Sequence, residues 1–409
     1  MSRRSPSPTM RYRLLYLAPL VMAITHALIA AVWDVYPPDL EVYVRGGRTL
    51  LEEGDIYLSP NDVLPFTYPP FAAFLFQGFA LAPSMAPPLL TFLSGLALAR
   101  VVILTFCHVD IDVHLDIRHL FLIFIGSLLL EPITMTFTLG QVNLILLWMI
   151  FECAIGDRRW RYIGIGIAGG IKLTPLIFLL PLMKPSRWRE MAGNLLALST
   201  TVMIGWLVCP DGTVDFFIDK MRDPKRVGGV EYISNQSLNG MIWRSFGPGG
   251  DVRAWLISTL AVIALAAVLT WTSTSRLVQF LICAATGVLV SPISWIHHWV
   301  WTLPLIIFLL RGRTVTTGRF RRCLAGLVIF VELSRITWLT PHEKNAEFEA
   351  AIPLLLSGQL YIIGALCMLF IFFYEKQMQG PPSAPPISAV QCPDITQLSP
   401  DGEPSEITR

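Results

Sequence analysis

The chain has 409 residues, of which 54% are hydrophobic and only 15% charged, with a net charge of +2. A soluble domain carries about 25% charged residues, so the composition excludes an ordinary soluble globular protein and points to the membrane. The near-balance of 31 basic and 29 acidic residues gives no support for nucleic-acid binding, and the basic residues fall mostly in short loops between apolar runs.

Residues 1–13 carry Arg3, Arg4, Arg11 and Arg13, which places the N-terminus in the cytoplasm by the positive-inside bias. Residues 14–33 form one apolar run long enough to span a bilayer. The run is too long for a signal-peptide core and lacks a small-residue cleavage site, so a retained helix is expected. The chain then breaks at Pro37-Pro38 and presents Asp39 and Glu41 among aromatics. A carboxylate at the lip of a span is costly unless it is solvated or used, which makes Asp39 the first candidate functional residue, on the outer side.

Phe66-Thr67-Tyr68-Pro69-Pro70-Phe71 opens the next apolar region. The proline pair fixes how the chain enters the membrane, and Tyr68 is either an interface anchor or a site residue. Four apolar runs follow before Gly156, where parity requires an odd number. One of them should therefore be broken or re-entrant, at Pro69-Pro70 or at Glu131-Pro132. Gly140-Gln141-Val142-Asn143 sets two amides beside these runs, and such amides serve either interhelical bonding or substrate.

Residues 162–183 have the length of one span, yet Arg158-Arg159-Trp160-Arg161 precedes them and Lys184 to Arg189 follows. One helix cannot have both ends in the cytoplasm, but two half-helices can. The turn is expected at Gly169-Gly170-Ile171-Lys172-Leu173-Thr174-Pro175, with Thr174 as N-cap and Pro175 as the first helical residue. A half-helix N-terminus beside Lys172 is suited to an anion such as phosphate. The alternative is a bent core helix whose lysine snorkels to water.

Residues 192–209 are read as crossing outward, and 210–253 as a polar outer loop holding Asn235-Gln236-Ser237-Leu238-Asn239-Gly240 and Arg244. Amides beside a guanidinium suit sugar hydroxyls and phosphate. A solvated loop and an Asn-x-Ser glycosylation acceptor are the other readings. Residues 254–272 return and 277–296 cross outward, ending at Trp295-Ile296-His297-His298-Trp299. Neighbouring histidines point in different directions, and no cysteine or carboxylate stands at ligand spacing, so no shared metal is expected; a structural hydrogen-bonding role stays open. Residues 299–310, 322–340 and 352–373 complete the crossings, with Glu332 and Arg335 read as an internal i,i+3 ion pair. The tail from Gly380, rich in proline, is expected to be cytoplasmic and disordered. Six of the seven cysteines lie in or beside apolar runs and are read as packing residues.

The sum is an all-α polytopic membrane protein with roughly ten to twelve transmembrane helices, some re-entrant or broken, and outer-face loops. It divides into a cytoplasmic N-terminus (1–13), a membrane-embedded domain (14–379) and a tail (380–409).

Pro-Asp-Leu-Glu-Val-Tyr from Pro38, then Phe-Thr-Tyr-Pro-Pro, Gly-Gln-Val-Asn, Ile-Lys-Leu-Thr-Pro, Asn-Gln-Ser and Ser-Pro-Ile-Ser-Trp-Ile-His-His-Trp-Val-Trp occur in that order. Together, over residues 30 to 310, they resemble the actinobacterial polyprenol-phosphate-mannose-dependent α-(1→2)-mannosyltransferases of glycosyltransferase family 87, which have the membrane GT-C fold. The resemblance implies a plasma-membrane enzyme with an outward-facing site. It would move mannose from polyprenyl-phosphate-mannose to a glycolipid acceptor of phosphatidylinositol mannoside or lipomannan type, with inversion. The general base of the first outer loop falls on Asp39. Some relatives carry histidine two positions later, where this chain has Glu41, so Glu41 is expected only to support. Lys172, Arg244, His297 and His298 are the expected partners of the departing phosphate. Glu41, Tyr68, Gln141, Asn143, Asn235, Gln236 and Trp295 are the expected sugar or acceptor contacts. No Asp-x-Asp stands in the outer loops, which argues against a nucleotide-sugar donor and its metal, so neither metal nor other cofactor is expected. An arabinofuranosyltransferase of the same family would differ around Trp295 and Asn235. A lipid or polyol transporter would predict internal repeats, and none of these motifs recurs.

Overall fold

The computed structural model describes residues 17–25, 27–28, 36–58, 64–109, 117–156, 160–312, 318–342 and 346–378. The expected N-terminal segment 1–13 and the tail from 380 lie outside the described residues, as do Arg158, Arg159 and Cys392. After a helical stretch at 17–25 (α1) come α2 (Pro38–Leu51), α3 (Pro70–Leu81), α4 (Ala86–Val109), α5 (Ile117–Ser127), α6 (Glu131–Leu139), α7 (Asn143–Ile155) and α8 (Gly164–Ile171). A 3₁₀ run, Thr174–Met183, is followed by α9 (Trp188–Val208), α10 (Pro210–Ile218), α11 (Leu238–Phe246), α12 (Val252–Thr272), α13 (Arg276–Val290), α14 (Thr302–Arg311), α15 (Gly318–Ser334), α16 (Ile352–Ser357) and α17 (Leu360–Met378). Among the described residues the only β feature is an isolated antiparallel bridge between Asn235 and Trp295.

Proline sets many of the boundaries. Pro38, Pro70, Pro132 and Pro210 each sit in the first turn of a helix, where the missing N–H costs nothing. Among the described residues three stretches are long and apolar enough to cross a membrane: Pro83–Val109, Pro185–Val208 and Val252–Thr272. Phe121–Ser127 and Glu131–Leu139 pass the same test together but meet at 71°, so a break falls before Glu131-Pro132. Six shorter apolar helices of 10–17 residues accompany them.

The long helices differ in position. The apolar window of the first is 72% buried, against 17% for each of the other two. α4 is therefore central, while α9 and α12 present Leu196, Met203, Trp206, Ile257 and Leu260 outward, as lipid-facing helices do.

Residues 162–183 form the broken element. α8 stops at Ile171, Lys172 is extended (φ −148°, ψ 135°), and the 3₁₀ run returns from Thr174. The two arms pack on each other, and both outer ends reach one cluster, where Arg161 and Arg187 act electrostatically on Arg276. Three details differ from the sequence reading. The turn lies at Lys172-Leu173, because Gly169 and Gly170 remain in α8, where their missing side chains admit Leu176 and Thr201. Leu173, not Thr174, is the N-cap residue, and it makes no side-chain capping bond. The returning arm is 3₁₀ rather than α; Pro175 and Pro181 lie in it and cannot donate to an α ladder.

Glu332 and Arg335 do not pair. α15 ends at Ser334, and Arg335 is exposed in a left-handed conformation (φ 52°), which turns its side chain away from the fully buried Glu332. Cys153 and Cys283 are buried free thiols, consistent with packing; Cys107 is disulfide-bonded, so the packing reading does not hold there.

Candidate active site

The site begins at the N-terminus of α2. Asp39 stands in its first turn, where the helix dipole favours a carboxylate. Tyr43 follows four residues on, on the same helical face, and is buried. Against this turn packs the Gly140 corner, which ends α6 with φ 70°. A side chain at Gly140 would put Cβ at 2.7 Å from Pro37 Cβ and 2.8 Å from Leu40 Cβ. Glycine thus meets two demands at once, a left-handed backbone and a close approach. The next residue, Gln141, is thereby brought to Asp39.

Gln141 Nε2 donates to Asp39 Oδ2 at 2.7 Å. Its Oε1 accepts from the Tyr43 hydroxyl at 2.7 Å and the Tyr68 hydroxyl at 3.3 Å, and the two hydroxyls lie 3.0 Å apart. The hydroxyls fix the amide so that its NH₂ faces the carboxylate. Among the described residues Asp39 Oδ1 has no hydrogen-bond partner, and the carboxylate lines the cavity of the site. Burial raises the Asp39 carboxyl above its ordinary pKa, while the Gln141 hydrogen bond and the Lys172 charge work against that rise.

Lys172 projects from the tip of the re-entrant pair. Its Nζ lies 2.8 Å from His298 Nε2, 3.4 Å from Asn143 Oδ1 and 5.6 Å from the centre of the Tyr68 ring. An ammonium can only donate, so His298 Nε2 accepts and the ring proton sits on Nδ1. The histidine segment is held by its backbone: Asn143 Nδ2 and Thr136 Oγ1 both donate to the His297 carbonyl, at 2.9 and 3.3 Å. The His297 ring lies edge-on to His298, 4.6 Å between centres, and both its nitrogens are buried without a partner.

A cavity of about 460 Å³ joins these groups. Asp39, Tyr43, Tyr68, Gln141, Lys172, Trp295, His297 and His298 all line it, and Lys220 and Arg226 form part of its wall. A smaller cavity of about 90 Å³ adjoins it, sharing Lys172 and His298 and otherwise lined largely by apolar residues such as Leu146, Ile150, Phe280 and Val288. A carboxylate and an ammonium therefore face one partly open cavity. Among the described residues no group of three or more His, Cys, Asp or Glu side chains could hold a metal.

Several expected contacts lie elsewhere. Asn235 is fully buried; its Nδ2 donates to Val230 O at 2.8 Å and its Oδ1 accepts from Ser294 N at 2.9 Å. Gln236 Nε2 donates to the carbonyls of Ile233 and Gly358, and its backbone N–H to Ser294 O. Ser237 caps α11 by accepting from Gly240 N. Asn-Gln-Ser is thus a clasp that fixes the Ser291–Trp295 loop, and its asparagine is no exposed glycosylation acceptor. Arg244 is buried with its Nη1 shared among the carbonyls of Glu231, Tyr232 and Asn235 and its Nη2 on Gln359; it does not line the cavity. Glu41 is exposed and absent from the lining. Asn143 supports the histidine segment and lines only the smaller cavity. Tyr68 is buried within the site, not set at an interface.

Tyr43, Lys220 and Arg226 are site-lining residues that the sequence reading did not assign. Tyr43 was legible from its i+4 spacing to Asp39; the other two sit in an outer segment whose fold over the cavity has no local signature.

Residues 66–292 match glycosyltransferase family 87. The chain is 30% identical to the polyprenol-phosphate-mannose-dependent alpha-(1-2)-phosphatidylinositol pentamannoside mannosyltransferase of Mycolicibacterium smegmatis, over 90% of this chain and 94% of that protein. It is equally identical to the protein of the same description from Mycobacterium tuberculosis, over 90% and 89%. It is 28% identical to the M. smegmatis polyprenol-phosphate-mannose-dependent alpha-(1-2)-phosphatidylinositol mannoside mannosyltransferase, over 90% and 92%.

Proposed function

The chain belongs to glycosyltransferase family 87, and on that premise we propose that it transfers mannose from polyprenyl-phosphate-mannose to a phosphatidylinositol mannoside acceptor, forming an α-(1→2) linkage with inversion on the outer side of the plasma membrane. Membership makes it a glycosyltransferase, not a lipid or polyol transporter. The observation that carries the reading is the convergence of Asp39 and Lys172 on one cavity.

In this mechanism Asp39 Oδ1 removes the proton from the acceptor's 2-hydroxyl as its oxygen attacks the anomeric carbon. The bond from that carbon to the phosphate oxygen breaks on the opposite face, and the electron pair leaves with the polyprenyl phosphate. A carboxyl pKa raised by burial makes a stronger base once ionised. Gln141 holds that carboxylate in place. Lys172, with His298 fixed against it, receives the growing negative charge on the phosphate. That group is already a fair leaving group, so no protein acid is needed. Attack in line on a β-linked donor gives the α-linked product. His297, with both ring nitrogens unpartnered in the cavity, is a further donor for phosphate or sugar. Trp295 and Tyr68 supply faces and edges for the sugar ring.

The purified protein should transfer radiolabelled mannose from synthetic polyprenyl-phosphate-mannose to a phosphatidylinositol mannoside, with a product sensitive to an α-(1→2)-mannosidase. Transfer from polyprenyl-phosphate-arabinose in place of mannose would overturn the reading in favour of the arabinosyl enzyme.

A further inference from the structure

The end of the molecule away from the cavity carries a second charged assembly. Arg161 precedes α8, Arg187 follows the 3₁₀ arm, and Arg276 begins α13. Two of them, Arg187 and Arg276, reach one acidic residue, Glu190. Arg187 Nη2 lies 2.5 Å from Glu190 Oε2, and Arg276 Nη2 lies 3.6 Å from Glu190 Oε1. Arg161 acts electrostatically on Arg276 as well. Two guanidinium groups thus share one carboxylate, and a third acts on Arg276 without a carboxylate contact of its own. Two donors, Arg161 Nε and Arg276 Nη1, are buried with no partner among the described residues.

The assembly is held in place. Asn194 Nδ2 donates to the carbonyls of Arg161 and Glu190, at 2.7 and 2.8 Å. Its Oδ1 accepts from the backbone of Ile165 and Gly166 at the start of α8. Arg187 Nη1 is further tied to Gln279 Oε1 at 3.3 Å. Unbalanced guanidinium groups this close together repel one another, and burying their donors unpaired adds a desolvation cost. A tetrahedral phosphate oxyanion would relieve both, because guanidinium forks match its oxygens.

The flanks say what kind of phosphate. Trp160 and Tyr162 flank Arg161 in the chain and Trp188 follows Arg187, all three with exposed side chains. Exposed tryptophan and tyrosine beside basic residues mark the level of lipid head groups. α13 runs from Arg276 to the Ser291 rim of the cavity in fifteen residues, about 22 Å at the α-helical rise. The cluster therefore lies at the end of α13 far from the cavity.

We propose that Arg161, Arg187 and Arg276 bind the phosphodiester of an anionic glycerophospholipid in the leaflet opposite the catalytic cavity, with its acyl chains against the neighbouring exposed aromatics. The site is separate from the transfer reaction, and its test reads binding instead of activity. Protein in neutral detergent would be titrated with phosphatidylglycerol, phosphatidylcholine or inorganic phosphate, with thermal unfolding and native mass spectrometry as readouts. Phosphatidylglycerol should remain bound and raise the unfolding midpoint by about 2–4 °C, and phosphatidylcholine should do neither. R161Q/R276Q should lose the retention and the shift. E190Q removes the competing carboxylate and should tighten phosphatidylglycerol binding several-fold, which keeps the test decisive if the double variant does not fold. Equal protection by phosphatidylcholine, an unchanged response in R161Q/R276Q, or weaker binding in E190Q would overturn the proposal. Equal protection by inorganic phosphate would overturn it too, as a free-anion site only.

Discussion

Asp39, Gln141 and Lys172 carry the proposed chemistry, and each can be tested alone. Asp39→Asn keeps shape and hydrogen bonding but cannot accept a proton, so turnover should fall about 100-fold or more while donor binding, measured by equilibrium titration, survives. Normal turnover would move the base elsewhere. Gln141→Leu tests the tuning of that base. The active carboxylate is deprotonated, so the rate falls as pH drops through its pKa, which burial already raises. Loss of the Gln141 donor removes an opposing effect and raises the pKa further. The acid limb of kcat/KM should therefore move to higher pH; a limb that stays put or moves down would contradict the assignment. Lys172→Met keeps the aliphatic stem and deletes the charge. A charge-assisted contact contributes about 1.5–3 kcal/mol, so transfer should slow about tenfold to a hundredfold at equal expression. A lysine that merely snorkels to water would cost little when replaced.

At the scale of elements, two corners decide whether those residues meet. The first is the Gly140 corner, whose positive φ and contact with Pro37 and Leu40 seat Gln141 against α2. Gly140→Ala should cost about 1–2 kcal/mol from the left-handed backbone alone. Because the added methyl pushes on Pro37 and Leu40, turnover should fall along with the thermal midpoint. A variant with lower stability but full turnover would separate this corner from the site. The second is the Lys172 turn, where two short arms lift one charge to the cavity and return to the same arginine cluster. The Asn-Gln-Ser clasp acts between elements in the same way. By holding Ser294 through backbone and side-chain bonds, it sets the loop from which Trp295 and the histidines reach the cavity.

For the whole molecule, the proposal requires the cavity end outside the cell and the arginine end inside, as the basic loops demand. Single cysteines at exposed positions test this directly, in a background lacking Cys392 and the two free thiols exposed among the described residues, Cys323 and Cys367. Glu41→Cys, beside the cavity, should react with an impermeant thiol reagent added to intact cells. Arg189→Cys, beside the arginine cluster, should react only after the cells are opened. The reverse pattern would remove the outer-face mechanism. The arrangement is economical in physical terms: the central α4 is shielded by its neighbours, while α9 and α12 meet lipid.

The sequence alone determined the class, because a chain this apolar can satisfy its backbone in lipid only as helices. It also revealed the broken element, since basic residues on both sides of one span's length contradict a single crossing. Asp39 and Lys172 stood out for the same reason, as charges where charges are costly. Only the tertiary structure decided which polar residues share the cavity. Asn235, Gln236 and Arg244 looked like ligands for sugar and phosphate, yet they bond backbone carbonyls and amides at partners as far as Gly358 and Gln359. Amides and guanidiniums use the same donors for a loop as for a sugar, and nothing local in a sequence distinguishes the two uses. Gln141 was ambiguous in the same way until Gly140, 101 residues beyond Asp39, was seen to pack on the turn that carries it. Contacts across such separations depend on how helices pack, and that is set by the whole chain at once.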